Sequence, residues 1–234
     1  MATAWRLSSD MKLAVVIPVH GDHAPLARLL HQIDKMIGVD EVVISASDAW
    51  KGKVPQLKKI HPSIVSGPQG RGAQLNRGRQ STSADLLWFL HADAVPPIDG
   101  PDTIRCAAAS GVLGGFFRFR FEGIESRAAS RLAQLINWRA ARAIAYGDQG
   151  LWFDADAFDR AGGFDAVPMI EEVTHVRSVK SSGRFVPHNE TIGVDPRRWQ
   201  RTGWIKRTLV NRALAIGHAC GVSPHTLARW YARL

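Results

Sequence analysis

A histidine and an aspartate follow an apolar stretch in the middle of the chain. Residues 86–90 (LLWFL) are all apolar, and His91 and Asp93 come directly after them. This composition is typical of a buried strand in a parallel sheet, and open α/β sheets bind ligands at the carboxyl ends of such strands. Because His91 and Asp93 are two residues apart, a straight strand would point both side chains to the same side. The pair has the chemistry to hold a divalent cation and, through it, a diphosphate; the alternative is a strand end capped by a solvated aspartate.

A glycine-rich loop, residues 67–72 (GPQGRG), opens onto a predicted helix that carries Gln74, Asn76 and Arg79. Backbone N–H groups at such a helix start suit an anion, and Arg71 can make forked hydrogen bonds to phosphate. The loop is not a Walker loop, because no Gly-Lys-Ser/Thr follows it. It is not a dinucleotide fingerprint, because it follows the third predicted strand and not the first.

Three further polar groups occur later in the chain, and each has two interpretations. Glu171 and Glu172 open a predicted helix, so they could supply a general base or only favour the helix N-terminus electrostatically. Asp148, in the sequence YGDQG, could be a site residue or an ordinary turn residue. Arg197 and Arg198 could bind phosphate oxygens or form a solvated face.

The elements that must position these groups alternate between strand and helix in the first hundred residues. Buried strands rich in β-branched residues are separated by stretches with helical apolar spacing, as at Leu26, Leu29, Leu30 and Ile33. This alternation predicts an α/β fold, a mostly parallel central sheet with helices on both faces. The predicted strands are residues 12–19, 41–45, 63–66 and 84–90, and the predicted helices include residues 23–36 and 54–60.

Composition limits the class of protein. The chain has 234 residues, of which 45% are hydrophobic and 22% charged, which suits one globular domain or one domain with an appendage. No apolar run approaches the roughly 20 residues that span a bilayer. Residues 1–11 lack the apolar core of a signal peptide and are predicted to be disordered. Cys106 and Cys220 are isolated, as expected in a reducing compartment, so a cytoplasmic location is expected.

The net charge of +9 is concentrated at the C-terminus. Residues 196–234 contain eight Lys or Arg and no Asp or Glu, and the rest of the chain holds 22 basic and 21 acidic residues. We predict a basic helical extension there whose partner is anionic: phosphate, a lipid surface or nucleic acid. A predicted helix in it carries Ile205, Leu209, Ala213 and Ile216 on one face. A peripheral contact with the inner face of a membrane is therefore expected, and nucleic acid is the less favoured partner.

Seven short motifs resemble those of family-2 glycosyltransferases, and most closely those of their small bacterial branch. Any one motif is weak, whereas their order and spacing together are strong evidence. The resemblance runs from about residue 13 to the C-terminus. The motifs are IPV at residues 17–19, GRGAQLN at 70–76, FLHAD at 89–93, YGDQG at 146–150, GGF at 162–164, the acidic pair at 171–172 and RRW at 197–199.

This resemblance implies an A-type glycosyltransferase fold, known as the nucleotide-diphospho-sugar transferase fold. It also implies an inverting, hexosyltransferase-like enzyme that moves a sugar from a nucleotide-diphospho-sugar donor to a hydroxyl acceptor. Residues 12–195 would form the transferase domain, with a nucleotide-binding half at 12–100 and an acceptor half at 101–195, followed by the extension at 196–234. The donor-binding residues that the resemblance implies are Pro18, Asp22, Ser45, Asp48, Arg71, Gln74, Asn76, His91, Arg197 and Arg198.

The resemblance also implies a metal and a general base. Mn²⁺ or Mg²⁺ would be held by Asp93, with His91 as a second ligand, and would neutralise the charge of the diphosphate leaving group. Glu172, Glu171 and Asp148 correspond to catalytic positions, with Glu172 as the first choice for the base that activates the acceptor hydroxyl.

The sequence departs from the family pattern near the donor. Gly21-Asp22 stand where the family usually has Asn-Glu, and residues 45–48 (SASD) replace an Asp-Gly-Gly-Ser-type turn, so the nucleotide is not specified. The acceptor is not specified either, and a lipid-linked acceptor is one candidate. Two other functions stay open. One is a nucleotidyltransferase, which would usually carry its basic loop after the first strand. The other is a degenerate transferase that only binds nucleotide, membrane or nucleic acid.

Overall fold

The computed structural model describes residues 10–21, 24–142 and 144–232. Within them the chain forms strands β1 to β7 and helices α1 to α9, with a 3₁₀ turn at Gly147–Gln149. The strands are β1 Leu13–Val19, β2 Glu41–Ser47, β3 Ser63–Gly67, β4 Leu86–Phe89, β5 Val112–Phe121, β6 Trp152–Asp154 and β7 Arg184–Val194. The helices are α1 Ala24–Ile33, α2 Arg71–Gln80, α3 Gly100–Ala109, α4 Arg127–Arg142, α5 Ala155–Arg160, α6 Glu172–Ser182, α7 Arg197–Thr202, α8 Trp204–Ala219 and α9 Pro224–Tyr231.

The strands form one mixed, mostly parallel sheet in the order β3-β2-β1-β4-β6-β5-β7. β1 pairs in parallel with β2 and β4, β2 pairs in parallel with β3, and β5 pairs in parallel with β7. Only β6 runs antiparallel to its two neighbours, β4 and β5. The mostly parallel sheet that the alternation of elements predicts is therefore confirmed.

Both faces of the sheet are buried, as the apolar composition of β1 requires. Leu13 and Val15 belong to the core on one face, whereas Ala14 and Val16 belong to the core on the other. Alternate side chains of a strand point to opposite faces, so a strand that is apolar at every position needs cover on both sides. Helix α1 covers the first face with the four apolar side chains that its spacing predicts, each of which contributes about 1.5–3 kcal/mol when buried.

The end of β4 differs from the prediction. The strand ends at Phe89, and the amide of Ala94 donates a hydrogen bond to the carbonyl of His91 (3.0 Å), so a turn follows the strand. The expectation that His91 and Asp93 point to the same side assumed a straight strand; the turn removes that premise, and the shared direction of the two side chains stays a prediction.

Residues 54–60 do not form the predicted helix. The backbone amides of Lys58, Lys59 and Ile60 donate instead to the carboxylate of Asp34, at 2.7–3.0 Å. These hydrogen bonds are the main reason why the pKa of Asp34 falls to about 2. One side chain directly after α1 therefore holds the end of this segment through three backbone hydrogen bonds.

Of the predicted N-terminal segment, residues 1–11, the structure describes residues 10 and 11. Residues 1–9 of the segment predicted to be disordered lie outside the described residues. Met11 is buried, and its carbonyl accepts a hydrogen bond from Arg105 Nε (3.0 Å), so the domain includes residue 11 as well.

The C-terminal helices attach to the far part of the sheet through a small separate core, here called the C-terminal cluster. It consists of Phe119, Phe121, Ala129, Ala133 and Trp199, from β5, α4 and α7. Across residues 10–21, 24–142 and 144–232, no helix combines the length and the hydrophobicity that a membrane crossing requires.

Candidate active site

Four segments that are far apart in the sequence meet beyond the carboxyl end of β4. They are the start of α2, the turn after β4, the loop before β6 and the start of α6. The side chains of Arg71, His91, Glu171 and Glu172, together with Gly147, line one small cavity there. Four of the motifs that the resemblance rests on, GRGAQLN, FLHAD, YGDQG and the acidic pair, therefore come together in space.

Arg71 is the central cation of this cavity. Its Nε donates to Glu171 Oε1 and its Nη2 lies 3.4 Å from Glu172 Oε2. Burial opposes the positive charge of Arg71, but the carboxylates of Glu172 and Glu171 outweigh burial and raise its pKa. Arg71 therefore stays charged and balances two buried carboxylates.

Glu172 is fixed in place by its neighbours. It is buried, and its Oε1 accepts a hydrogen bond from the amide of Gly147 (2.9 Å). Burial is the main cause that raises the pKa of Glu172; Arg71 acts against this rise, and Glu171 adds to it. Ile170 has a φ of 61°, which is a strained conformation for a β-branched residue. This strain at the entry to α6 lies directly before the acidic pair, as is common at functional sites.

Gly72 allows α2 to approach the acidic pair. A methyl group at this position would collide with the carbonyl oxygen of Asp165 and lie 3.2 Å from Glu171 Cβ. The second glycine of the sequence GRG is therefore required by close packing between the first turn of α2 and the start of α6.

His91 is a neutral imidazole next to Arg71. Its Nε2 lies 3.4 Å from Arg71 Nη1, and an arginine can only donate to it. Burial, followed by the charges of Arg71 and Arg198, lowers the pKa of His91 to about 3. Asp148 lies in the same electrostatic environment: burial raises its pKa, and Arg139 and Arg71 oppose that rise.

Gln74 and Asn76, both predicted to bind the donor, hold parts of the backbone together. Gln74 Nε2 donates to the carbonyl of Val19 (3.0 Å) and to that of Ser45 (2.8 Å), so it joins the carboxyl ends of β1 and β2. The amide of Asn76 donates to the carbonyl of Phe164 and accepts from its N–H, at 2.8 and 2.9 Å. These two side chains give the rim of the site its shape, and their contact with a donor stays a prediction.

The remaining donor residues predicted from the first two strands lie at one end of the sheet. Pro18 of β1 is in register with Ser45 of β2, whose hydroxyl is buried without a hydrogen-bond partner. Asp48 is exposed after β2, and its amide donates to the carbonyl of Gly67 (2.9 Å). Asp22 lies outside the described residues.

Asp93 and the two arginines of RRW lie on the open side of the site. Arg197 Nη2 is 3.9 Å from Asp93 Oδ2, and Arg197 Nε is 2.7 Å from Asp195 Oδ2. Arg198 is exposed, and its charge reaches both His91 and Asp148. The RRW motif therefore contributes positive charge to the same region as the other four motifs.

Asp93 can supply one carboxylate ligand to a cation whose other ligands come from a bound phosphate. No group of three or more His, Cys, Asp or Glu among the described residues is placed to hold a metal ion. Mg²⁺, however, is commonly bound by one or two carboxylates together with substrate phosphates, and Mn²⁺ also prefers oxygen ligands. The side chain of Asp93 is 39% exposed and can present its carboxylate in this way. His91 is a poorer second ligand, because its Nε2 is directed at a guanidinium.

Three residues of the site were not predicted individually. Gly147 and Tyr146 belong to the sequence YGDQG, so the presence of this motif already indicated that they lie at the site. Arg139, whose guanidinium lies 4.3 Å from the centre of the Tyr146 ring, comes from the last turn of α4. Nothing in the sequence distinguishes Arg139 from the other arginines of that helix.

Comparison with known proteins supports the fold. No protein-family model matches the sequence, and no curated protein does either. Solved structures do match. TarS of S. aureus (residues 1–349) is 14% identical with a TM-score of 0.61, over 80% of this chain and 61% of that 1–349 chain. The mannosyltransferase PcManGT of Pyrobaculum calidifontis, in complex with GDP-Man and Mn²⁺, is 16% identical with a TM-score of 0.55, over 79% of this chain and 56% of that one.

A third similar structure is glucosyl-3-phosphoglycerate synthase of Mycobacterium tuberculosis, in complex with Mn²⁺, UDP and phosphoglyceric acid. It is 14% identical with a TM-score of 0.56, over 92% of this chain and 81% of the synthase. Identities this low show the fold and not the activity. The predicted A-type glycosyltransferase fold is confirmed by these likenesses. The chain spans about three fifths of the length of the TarS and mannosyltransferase chains that it matches.

Proposed function

We propose that the protein is an inverting family-2 glycosyltransferase that moves a sugar from a nucleotide-diphospho-sugar donor to a hydroxyl acceptor. The observation that carries the proposal is the convergence of Arg71, His91, Glu171 and Glu172 at the carboxyl end of β4, within an A-type glycosyltransferase fold. The similar structures that contain GDP-Man with Mn²⁺, or UDP with Mn²⁺, support the donor class and the cation.

Glu172 is the residue that we assign as the general base. Burial raises its pKa, so its carboxylate is a stronger base than one in water and better suited to take a proton from an acceptor hydroxyl. The amide of Gly147 fixes one carboxylate oxygen at 2.9 Å and leaves the other directed towards Arg71. Glu171 is the alternative, since its Oε2 is buried without a hydrogen-bond partner.

Arg71 and the RRW arginines are the groups that we assign to the leaving diphosphate. A guanidinium offers paired N–H donors that match phosphate oxygens, and Arg71 is held charged by its surroundings. Arg197, 3.9 Å from Asp93, and Arg198, whose charge reaches His91, add further positive charge near the site. Because Arg71 contacts both glutamates, donor phosphates compete with Glu171 and Glu172 for the same guanidinium.

Asp93 is the residue that we assign to the cation. A bound Mn²⁺ or Mg²⁺ would neutralise charge that develops on the diphosphate as the sugar leaves. His91, two residues before Asp93, is neutral. It offers Arg71 a hydrogen-bond acceptor, which keeps the guanidinium oriented towards the cavity.

Calorimetric titration with UDP and GDP, each with and without Mn²⁺, tests the proposal. We expect Mn²⁺ to increase the affinity of the wild-type protein for one of these nucleotides, and Asp93→Ala to abolish that increase. Asp99→Ala is the matched control, because Asp99 is an exposed carboxylate close in sequence that makes no side-chain hydrogen bond to α3.

Two results would contradict the proposal. Metal-dependent affinity that is unchanged in Asp93→Ala would remove the cation assignment. Nucleotide binding without release of sugar from any of a panel of nucleotide-sugars would favour the degenerate, binding-only alternative.

A further inference from the structure

Helix α8 exposes its apolar face. Ile205, Leu209 and Ile216 are 78%, 63% and 62% exposed, and their spacing of four and seven residues places them on one side of the helix. The side chain of Leu214, on the other side, is buried. A helix of a soluble domain normally turns its apolar side to the core, so this face is available for a partner.

The surroundings of this face are positively charged. Lys206 and Arg212 of α8 are exposed, and Arg212 follows Leu209 on the apolar side of the helix. Helices α7, α8 and α9 contain no Asp or Glu at all. A partner for this face must therefore accept aliphatic side chains and positive charge at the same time.

Helix α4 has the same character and packs on the same part of the molecule. Leu135 and Trp138 are exposed on it, and the guanidinium of Arg142 lies 4.7 Å from the centre of the Trp138 ring. Helix α4 contains no Asp or Glu either. It contributes to the C-terminal cluster, against which Trp204, the first residue of α8, packs its ring 4.9 Å from Phe121.

We propose that the exposed face of α8, with α4 as a second contact, docks onto the surface of an anionic lipid bilayer. Interfacial helices combine Leu, Ile or Trp with Lys and Arg in this way, and they lie in the plane of the membrane. The 16 residues of α8 form a helix of about 24 Å, shorter than the roughly 30 Å of a hydrocarbon core, which fits docking and not crossing.

The charges argue against the other occupants. Pairing of two copies through α8 would bring Lys206 and Arg212 of both copies together without any acidic residue on the helix to compensate. Nucleic acid would satisfy the charges but offers nothing to bury three aliphatic side chains, since proteins contact single-stranded bases mainly through aromatic rings. Of these three partners, an anionic lipid surface is the one that matches both properties of the face.

Co-sedimentation with vesicles tests the docking and does not depend on the proposed activity. We expect the wild-type protein to bind phosphatidylcholine vesicles that contain phosphatidylglycerol more tightly than pure phosphatidylcholine vesicles. The preference should be large at low salt and largely lost at about 1 M salt, where the Debye length is about 3 Å. No preference for the anionic vesicles at low salt would overturn the proposal.

Two pairs of substitutions separate the apolar and the charged contributions. We expect Ile205→Gln with Leu209→Gln to weaken binding to anionic vesicles about tenfold or more, since the affinity of such helices scales with the apolar area that they insert. The matched control is Ile37→Gln with Ile98→Gln, which changes two apolar side chains elsewhere that are 79% and 57% exposed. Equal binding by the two double variants would overturn the assignment of the α8 face.

The charge pair is tested in the same way. Lys206→Gln with Arg212→Gln should weaken binding about fivefold for each charge removed, roughly twenty-five-fold together. Lys51→Gln with Lys53→Gln removes the same charge from a loop after β2 and should change binding little. Sedimentation velocity without vesicles completes the test. If the wild-type protein is a dimer that binds no vesicles, and Ile205→Gln with Leu209→Gln makes it a monomer, the partner of this face is a second copy of the chain and the membrane proposal is overturned.

Discussion

Replacement of Arg71 by methionine tests whether one guanidinium balances two buried carboxylates. In the native site Arg71 contacts Glu171 and Glu172, which are 1% and 3% exposed. Methionine keeps much of the side-chain length and has a similar helix propensity, so α2 is expected to form as before. The variant leaves the two carboxyl groups side by side in the protein interior with no cation between them.

The loss of stability can be worked out from the proton that the carboxyl pair can bind. Removal of one partner from a buried ion pair typically costs about 3–5 kcal/mol. The carboxyl pair can avoid part of this loss by taking up one proton. The free energy of that uptake rises by about 1.4 kcal/mol for each pH unit above the unfolded pKa of about 4.3. Uptake of that proton costs about 3.8 kcal/mol at pH 7 and about 1 kcal/mol at pH 5, so we expect the loss of stability to be clearly smaller at pH 5.

The sign follows from the direction of the pKa shifts. Burial already raises the pKa of Glu172 in the native protein, with Arg71 acting against that rise, and burial raises the pKa of the nearby Asp148 in the same way. A carboxyl group whose pKa is higher in the folded than in the unfolded state lowers the free energy of unfolding as the pH rises from the unfolded to the folded pKa. Without Arg71 this interval extends to higher pH. Tyr146 also interacts with Glu172, and burial, the largest cause, raises the pKa of Tyr146 from an already alkaline value.

Urea denaturation followed by circular dichroism at pH 5 and pH 7 measures the effect. Arg79→Met is the matched control in the same helix, because the Arg79 pair with Asp159 (2.7 Å) has a half-exposed carboxylate. Such a pair is worth about 0–1 kcal/mol. A loss for Arg71→Met that is equal at both pH values, or no larger than that of Arg79→Met, would refute the assignment of Arg71 as the counter-ion of both glutamates.

Two further predictions concern turnover. Glu172→Gln should lower turnover by about 10²-fold or more while nucleotide affinity in calorimetry is kept; full turnover in this variant together with loss in Glu171→Gln would reverse the two assignments. Gly147→Ala should lower turnover, because the added methyl group would lie 3.1 Å from His91 Nε2 and 3.9 Å from Glu172 Oε1. Thermal denaturation checks that the fold of this variant is intact, and unchanged turnover would show that the cavity does not need the space at this position.

The sheet could be predicted because its strands are apolar at every position and alternate with helical spacing. The four apolar positions of α1, for example, are the residues that α1 buries. Residues 54–60 could not be predicted, because their conformation depends on the Asp34 carboxylate, and a side chain more than twenty residues away leaves no local pattern. The turn at 91–94 was missed for a related reason: an apolar run shows that a strand is buried but not at which residue it ends.

The site could be predicted only as a set of motifs. The sequence indicates that Arg71 suits phosphate and that Glu171 and Glu172 suit a base, but it does not indicate that these three side chains contact one another across about one hundred residues. That contact depends on the order of the strands in the sheet and on the packing of α2 against α6. It changes the interpretation of Arg71, which is the counter-ion of the acidic pair as well as the proposed phosphate ligand.

The apolar pattern of α8 also did not show which face of the helix is buried. The periodicity of Ile205, Leu209 and Ile216 predicts an apolar face, and the usual inference is that such a face packs on the core. The structure turns this face outward, because the opposite side already holds Leu214 against the protein. Periodicity identifies which side chains lie together but not which of two faces is buried. In α8 both faces carry apolar residues, and helices α7 to α9 contain no acidic residue, so the exposed face fits the anionic lipid partner proposed above.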